Sequence, residues 1–169
     1  MMDDLPAYMT SDPLTSVDAS LFADDGLLFF GGKILAAVRK RVQIAIDKAD
    51  IWFDMWGFLL SDDKTVSTLF TRRQKPDVCD YALTINGRPL KIQQSVRYLG
   101  IIFDRRLSWN EHVQYTVVKC KKRLNLMRAV SGRSWGASQK TLLQIYRSLI
   151  RSVVDYGSMV LDSASEHPE

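Results

Sequence analysis

Cysteine and histidine are scarce. The 169 residues hold two cysteines, Cys79 and Cys120, and two histidines, His112 and His167. No metal-type spacing connects them, which argues against a zinc-knit module, and two thiols are too few for a disulfide framework. Free thiols in a reducing compartment are the expectation. Long apolar runs are also missing, with none near the ~20 residues that span a bilayer. The start, Met1-Met2-Asp3-Asp4-Leu5-Pro6, is acidic and lacks the apolar centre of a secretory signal. There is no internal repeat and no low-complexity tract. What remains is a globular composition, 46% hydrophobic and 25% charged, with enough apolar material for a core. The length suits one domain or two small ones.

Charge is distributed unevenly. Residues 1–63 carry 5 Lys/Arg and 11 Asp/Glu, a net −6, whereas residues 64–160 carry 18 and 5, a net +13. An acidic front followed by a basic back half suits a cation site followed by a polyanion-binding surface. Basic helices that are merely solvated give the same totals.

The apolar pattern divides the chain into segments. Residues 1–16 read as loop and residues 161–169 as a tail. Residues 17–31 read as a β-hairpin, two apolar runs around Ala23-Asp24-Asp25-Gly26. A helix is expected over 33–56, where Ile34, Val38, Val42, Ile46, Ala49, Phe53 and Trp56 recur at steps of three and four before Gly57. Residues 58–60 and 66–70 resemble short strands. Asn86-Gly87 marks the type I′ turn of a second hairpin over 81–92. Residues 96–103 read as one strand interrupted by Gly100. Ser108-Trp109-Asn110-Glu111 has the form of a capping box, opening a helix whose apolar face is Val113, Val117, Cys120, Leu124 and Met127. A last helix is expected from Ser138, with Leu142, Ile145, Leu149 and Val153 inward and Tyr146, Ile150 and Val154 widening that face. The fold class is therefore α+β, a mixed α+β part over 17–104 followed by a helical module over 105–160.

Asp24 and Asp25 are adjacent carboxylates in a tight turn. Hard divalent cations take one or two such ligands together with substrate phosphates. Alone, an Asp-Asp-Gly turn is more often simply solvated. Lys119, Lys122 and Arg123 form one basic row, and Lys140, Arg147 and Arg151 another. Both rows lie away from the apolar stripes, where phosphate contacts would give affinity without sequence preference. Trp109, Trp135, Tyr146 and Tyr156 read as core or interface residues before base-stacking ones.

The order of motifs adds to this. Phe22-Ala23-Asp24-Asp25 resembles the aromatic-x-Asp-Asp motif of reverse transcriptases. Gly57-Phe58-Leu59-Leu60-Ser61 with Lys64-Thr65 resembles the next palm motif of that family. Tyr98-Leu99-Gly100-Ile101-Ile102-Phe103-Asp104 resembles its primer grip. Leu107-Ser108-Trp109 with His112, Trp135-Gly136-Ala137-Ser138, and Tyr146-Arg147 through Asp155-Tyr156-Gly157-Ser158 resemble the thumb region of jockey-like non-LTR retrotransposons. The resemblance covers residues 4–160. It implies part of a polymerase palm (catalytic β-hairpin, long helix and antiparallel strands) followed by a helical thumb.

The resemblance also implies the chemistry of two-metal nucleotidyl transfer. Asp24 and Asp25 would be ligands of Mg²⁺ or Mn²⁺, and Lys64 would neutralise the leaving pyrophosphate. Tyr98, Leu99 and Gly100 would contact the primer. The implied partners are an RNA template, a DNA primer, dNTP and the N-terminal palm and fingers of the same polyprotein, with no membrane. The implied location is intracellular, in a cytoplasmic ribonucleoprotein and the nucleus. The family's centre also needs an earlier palm aspartate and a nucleotide-seating segment, and neither motif occurs in these residues. The chain by itself is therefore expected to be inactive. A nucleic-acid-binding remnant and a plain structural module are the other readings.

Overall fold

The computed structural model describes residues 17–23, 25–73, 77, 81–132, 135–158 and 160. The expected loop over 1–16 and tail over 161–169, together with Asp24 and Cys79, lie outside the described residues. The chain divides into two compact units between Leu99 and Gly100. Helices and small sheets make a mixed α+β fold.

The first unit opens with β1 (Asp18–Phe22) and β2 (Asp25–Phe29), antiparallel, with Phe22 opposite Asp25. Helix α1 (Leu35–Met55) follows. It stops where Gly57 takes a left-handed φ of 72°. Gly57 N–H donates to the Asp54 carbonyl and Phe58 N–H to that of Phe53, the paired bonds of a Schellman C-cap. Residues 58–60 do not form the expected strand.

Three short strands follow α1, namely β3 (Val66–Ser67), β4 (Thr84–Ile85) and β5 (Arg88–Pro89). The β4–β5 hairpin turns through Asn86 and Gly87, both at positive φ, as a type I′ turn requires. Strand β6 (Lys91–Ile92) pairs parallel to β3, so the expectation of antiparallel strands throughout is corrected at this pair. The long connection between β3 and β6 is what lets two neighbours run in one direction.

Two faces of α1 are covered. Ala45, Ala49 and Trp52 pack with Val17 and the hairpin side chains Ala19, Leu21 and Leu28. Ile46 packs with Ile85 and Leu90 of the second hairpin. The Gln43 side chain fixes that hairpin like a strand backbone, accepting from Thr84 N–H and donating to Thr84 C=O, both at 2.9 Å. The unit ends with β7 (Ser95–Tyr98) and Leu99.

The second unit begins with Gly100 and β8 (Ile101–Asp104). Leu99 and Gly100 both have positive φ, 46° and 83°, so residues 96–103 form two strands rather than one. Helix α2 (Asn110–Ala129) comes next. Then α3 (Gln139–Ile145) runs into a π-helical turn (Tyr146–Arg151) and α4 (Ser152–Tyr156). Ser138 caps α3, its hydroxyl accepting from Thr141 N–H.

The capping box at Ser108 is not formed. Trp109 is the N-cap residue, left-handed at φ 64°, and no side chain of its own caps the helix. Asp104 takes over that work from the end of β8. Its Oδ1 accepts from Trp109 N–H at 2.8 Å, and its Oδ2 accepts from Ser108 N–H at 3.0 Å. Ser108 spends its hydroxyl on the same carboxylate instead of on the helix. Phe103 meets Trp109 edge-on at 5.4 Å.

Candidate functional site

The β1–β2 register leaves two residues, Ala23 and Asp24, to connect the strands, and Ala23 is left-handed at φ 54°. Asp25 sits at the start of β2 with an exposed side chain. Asp24, the other expected ligand, lies outside the described residues. Among the described residues no three His, Cys, Asp or Glu side chains converge to hold a metal ion.

Lys64 is exposed in the turn before β3. Its acidic neighbours are engaged elsewhere. Asp62 pairs with Arg88 at 2.7 Å and Asp63 with Lys91 at 3.5 Å. The Arg88 guanidinium, as hydrogen-bond donor first, holds the Asp62 carboxyl below its ordinary value. The cation of Lys64 is thus left unneutralised by the carboxylates beside it in sequence.

Tyr98 ends β7, and its hydroxyl donates to Ser20 Oγ of β1 at 3.2 Å. That bond joins one of the expected primer-grip residues to the strand leading into Asp24 and Asp25. Leu99 and Gly100 provide the left-handed turn that follows.

The basic rows belong to the second unit. Lys122, Lys140, Arg147 and Arg151 are exposed, and Arg151 pairs with Asp155 at 3.2 Å. Lys119 and Arg123 are half-buried. Arg123 donates to the Leu149 carbonyl in the π-helical turn, so it ties α2 to that turn. Lys119 stands 5.6 Å from the centre of the Tyr115 ring, within cation–π range. A cavity of about 290 Å³ opens here, lined by His112, Tyr115, Lys119 and Arg123 of α2 with Ser152 and Tyr156 of α4.

Sequence reasoning gave His112 only a place in a motif. It is in fact buried in the second unit, 3% exposed. Its Nδ1 accepts from Ile102 N–H at 3.3 Å, which leaves the proton of the neutral ring on Nε2. A Cβ on Gly157 would lie 2.8 Å from that Nε2. The pairing of a buried histidine with a distant glycine has no sequence period, so nothing in the pattern announced it. Asp104 was likewise read only as the end of a motif. Burial alone would raise its carboxyl, but donors from Ser108, Trp109 and Arg106 outweigh that and hold it below its ordinary value.

Comparison with known proteins finds relatives along most of the chain. The chain is 24% identical over 162 residues, 93% of its length, to "RNA-directed DNA polymerase from mobile element jockey" of Drosophila melanogaster. It is 24% identical over 166 residues to "Probable RNA-directed DNA polymerase from transposon BS" of the same fly, covering 96% of the chain. A "Retrovirus-related Pol polyprotein from type-1 retrotransposable element R1" of Nasonia vitripennis is 22% identical over 151 residues, 82% of the chain and 42% of the relative.

Its homologues are RNA-directed DNA polymerases of jockey and related non-LTR retrotransposons.

The chain spans 17% and 18% of the length of the jockey and BS relatives. No family model matches it, and no solved structure matches it. Among the described residues, no helix of this homologue is long and apolar enough to cross a membrane.

Proposed function

We propose that this chain serves the RNA-directed DNA polymerase of a non-LTR retrotransposon, the first unit as part of the palm and the second as the thumb. The observation that carries this reading is similarity to such polymerases along 93% and 96% of the chain, through the Asp24-Asp25 hairpin. Asp24 and Asp25 would hold Mg²⁺ or Mn²⁺, whose chemistry is to activate the primer 3′-hydroxyl and balance the charge on pyrophosphate. Lys64, exposed and not neutralised by Asp62 or Asp63, would meet that leaving group. Tyr98, Leu99 and Gly100 would hold the primer end. Lys122, Lys140, Arg147 and Arg151 would meet phosphates of the RNA template and DNA primer. dNTP and the remaining palm and fingers of the polymerase complete the set of partners. The work would be done inside the cell, in a cytoplasmic ribonucleoprotein and the nucleus.

The 169-residue chain alone should not extend a primer on an RNA template, because the earlier palm aspartate is not among its motifs. Joined behind the palm and fingers of a jockey-type polymerase, it should support synthesis. Asp24→Ala should then abolish nearly all of the rate, since a metal ligand acts in the chemical step. Unchanged synthesis by the Asp24→Ala chimera would sink the assignment of the metal site.

A second reading, nucleic-acid binding without catalysis, draws on the exposed cations of the second unit alone. Both readings require the chain to bind a primer–template duplex with strong salt dependence. With about three to six phosphate contacts the log–log slope against salt should be about −3 to −5. A flat salt series would remove the thumb from both.

A further inference from the structure

We propose that the apolar end of α1, with the turn that follows it, is the surface by which this chain docks onto the rest of the polymerase, against an apolar face edged with lysine or arginine. The inference rests on the polymerase reading above and names the surface through which the remaining palm holds the first unit.

At its C-terminal end α1 carries more apolar side chains than its own unit covers. Trp52 is buried and Phe53 half-buried where the helix packs on the β1–β2 hairpin. Ile51 and Met55, four residues apart on another row of the helix, are exposed. The chain then turns at Gly57, and Trp56, Phe58 and Leu59 are exposed around that turn, Leu59 to 89%. Single exposed apolar residues are ordinary on a protein surface, whereas a contiguous group marks a contact. Methionine, tryptophan and phenylalanine are also residues that concentrate at the centres of protein interfaces. The turn itself does not need these side chains buried. Backbone bonds close it, from Gly57 N–H to the Asp54 carbonyl and from Phe58 N–H to that of Phe53.

Charge around the patch sets the chemistry of its partner. Residues 47–64 hold five carboxylates and two lysines, Lys48 and Lys64, a net −3. Asp62 and Asp63 are met by Arg88 and Lys91. Asp50 and Asp54 stand one position before Ile51 and Met55, so they form the acidic edge of the patch. The last turn of α1 has no basic residue, which leaves the partial negative charge of the helix end on the same side. An apolar face with a basic edge complements this surface.

The occupant follows from that complementarity and from length. The chain spans 17% and 18% of the jockey and BS polymerases, so most of such an enzyme lies outside it and can supply the facing surface. A second copy fits less well. A two-fold contact sets the same patch against itself and brings Asp50 and Asp54 towards their own counterparts. An anionic lipid surface meets the same repulsion.

The test compares the isolated 169-residue chain with the chimera that carries the palm and fingers of a jockey-type polymerase. Hydroxyl-radical oxidation, read by mass spectrometry at Met55 and Trp56, should be about fivefold or more slower in the chimera, as at a packed interface core. Leu59→Glu should restore the fast oxidation in the chimera and reduce its primer extension by about tenfold or more, the loss expected at the centre of an interface. In the isolated chain Leu59→Glu should leave the thermal midpoint within about 2 °C of the parent, as for an exposed site.

Equal oxidation of Met55 and Trp56 in both proteins overturns the surface, and a chimera that still polymerises then leaves the proposed function standing. Slow oxidation in a chimera that does not polymerise supports the surface and counts against the proposed function. Unfolding of the isolated Leu59→Glu chain overturns the inference, because Leu59 would be holding its own unit together. An isolated chain that sediments as a dimer and becomes a monomer with Leu59→Glu assigns the patch to a second copy. Binding of the isolated chain to phosphatidylcholine–phosphatidylserine vesicles, lost with Leu59→Glu, assigns it to a membrane. Either result overturns docking onto the polymerase.

Discussion

Among the described residues, the first unit buries Val17, Ala45, Ile46, Ala49, Trp52, Ile85 and Leu90, all apolar, whereas the second buries Ile150 beside His112 and Thr116. The first unit therefore rests on removing apolar surface from water, which is non-directional and tolerates small shifts. The second rests on hydrogen bonds and close approaches around one imidazole, which are directional and tolerate little. The two units should fail to different kinds of mutation: the first to large truncations, the second to the addition of a single methyl group.

The largest effect is expected at Trp52, 5% exposed between α1 and the hairpin. Trp52→Ala should cost about 3–5 kcal/mol, comparable with the whole stability of a small unit. Amide exchange should then show α1 unprotected while α2 stays protected. Equal loss of protection in α2 would break the comparison, because the units would be unfolding as one. A smaller effect is expected from Gly157→Ala. The added methyl would sit 2.8 Å from His112 Nε2, and both the helix and the buried ring resist moving away. The expected cost is about 1–3 kcal/mol, confined to the second unit. Urea unfolding followed at residues of each unit would show whether α1 keeps its midpoint.

The same contrast explains what was legible in the sequence. Steps of three and four marked α1 to within two residues at its start, because its apolar side chains pack on both hairpins. Gly57 and Asn86-Gly87 were readable as punctuation because their backbone geometry excludes most side chains. In the second unit the periodic face was misleading. Val117 is 43% exposed, while Thr116 beside it is buried. Leu149 is 40% exposed, while Ile150, expected only to widen that face, is buried, because the π-helical turn adds a residue and rotates the inward face by one position. The Ser108 capping box failed for a related reason, since a carboxylate from the preceding strand took both the Ser108 N–H and the Ser108 hydroxyl. Of the candidate site, the sequence supplied residue types and their order, and the structure adds that Asp25, Lys64, Lys122, Lys140, Arg147 and Arg151 are exposed. The cavity was not legible, because it joins Tyr115, Lys119 and Arg123 to Ser152 and Tyr156 across a gap that no local pattern spans.

Asp104 gives the smallest expected effect and separates the units by pH. Its carboxylate accepts from Arg106, Ser108 and Trp109 N–H groups and from the Ser108 hydroxyl, so it closes the loop between β8 and α2. These bonds favour the charged form, and they hold the folded-state value below the ordinary 3.8 despite the opposing cost of burial. A carboxyl whose folded value is depressed stabilises the fold above its unfolded value. That contribution is lost as pH falls from about 3.8 through the lower folded value. Asp104→Ala should therefore destabilise the second unit by about 1–2 kcal/mol near neutral pH, the cost of a lost helix cap. The deficit should shrink as pH falls below 3.8, because the parent is then losing the same bonds. The first unit should show no change with this substitution at any pH. Thermal melts of parent and Asp104→Ala across pH 3 to 7 would measure the difference (range set by the ordinary carboxyl value, about 4). A deficit that stays constant down to the acid end would mean that Asp104 works through packing rather than charge. A deficit that appears equally in α1 would mean that the loop after β8 stabilises both units, and the contrast between them would have to be drawn elsewhere.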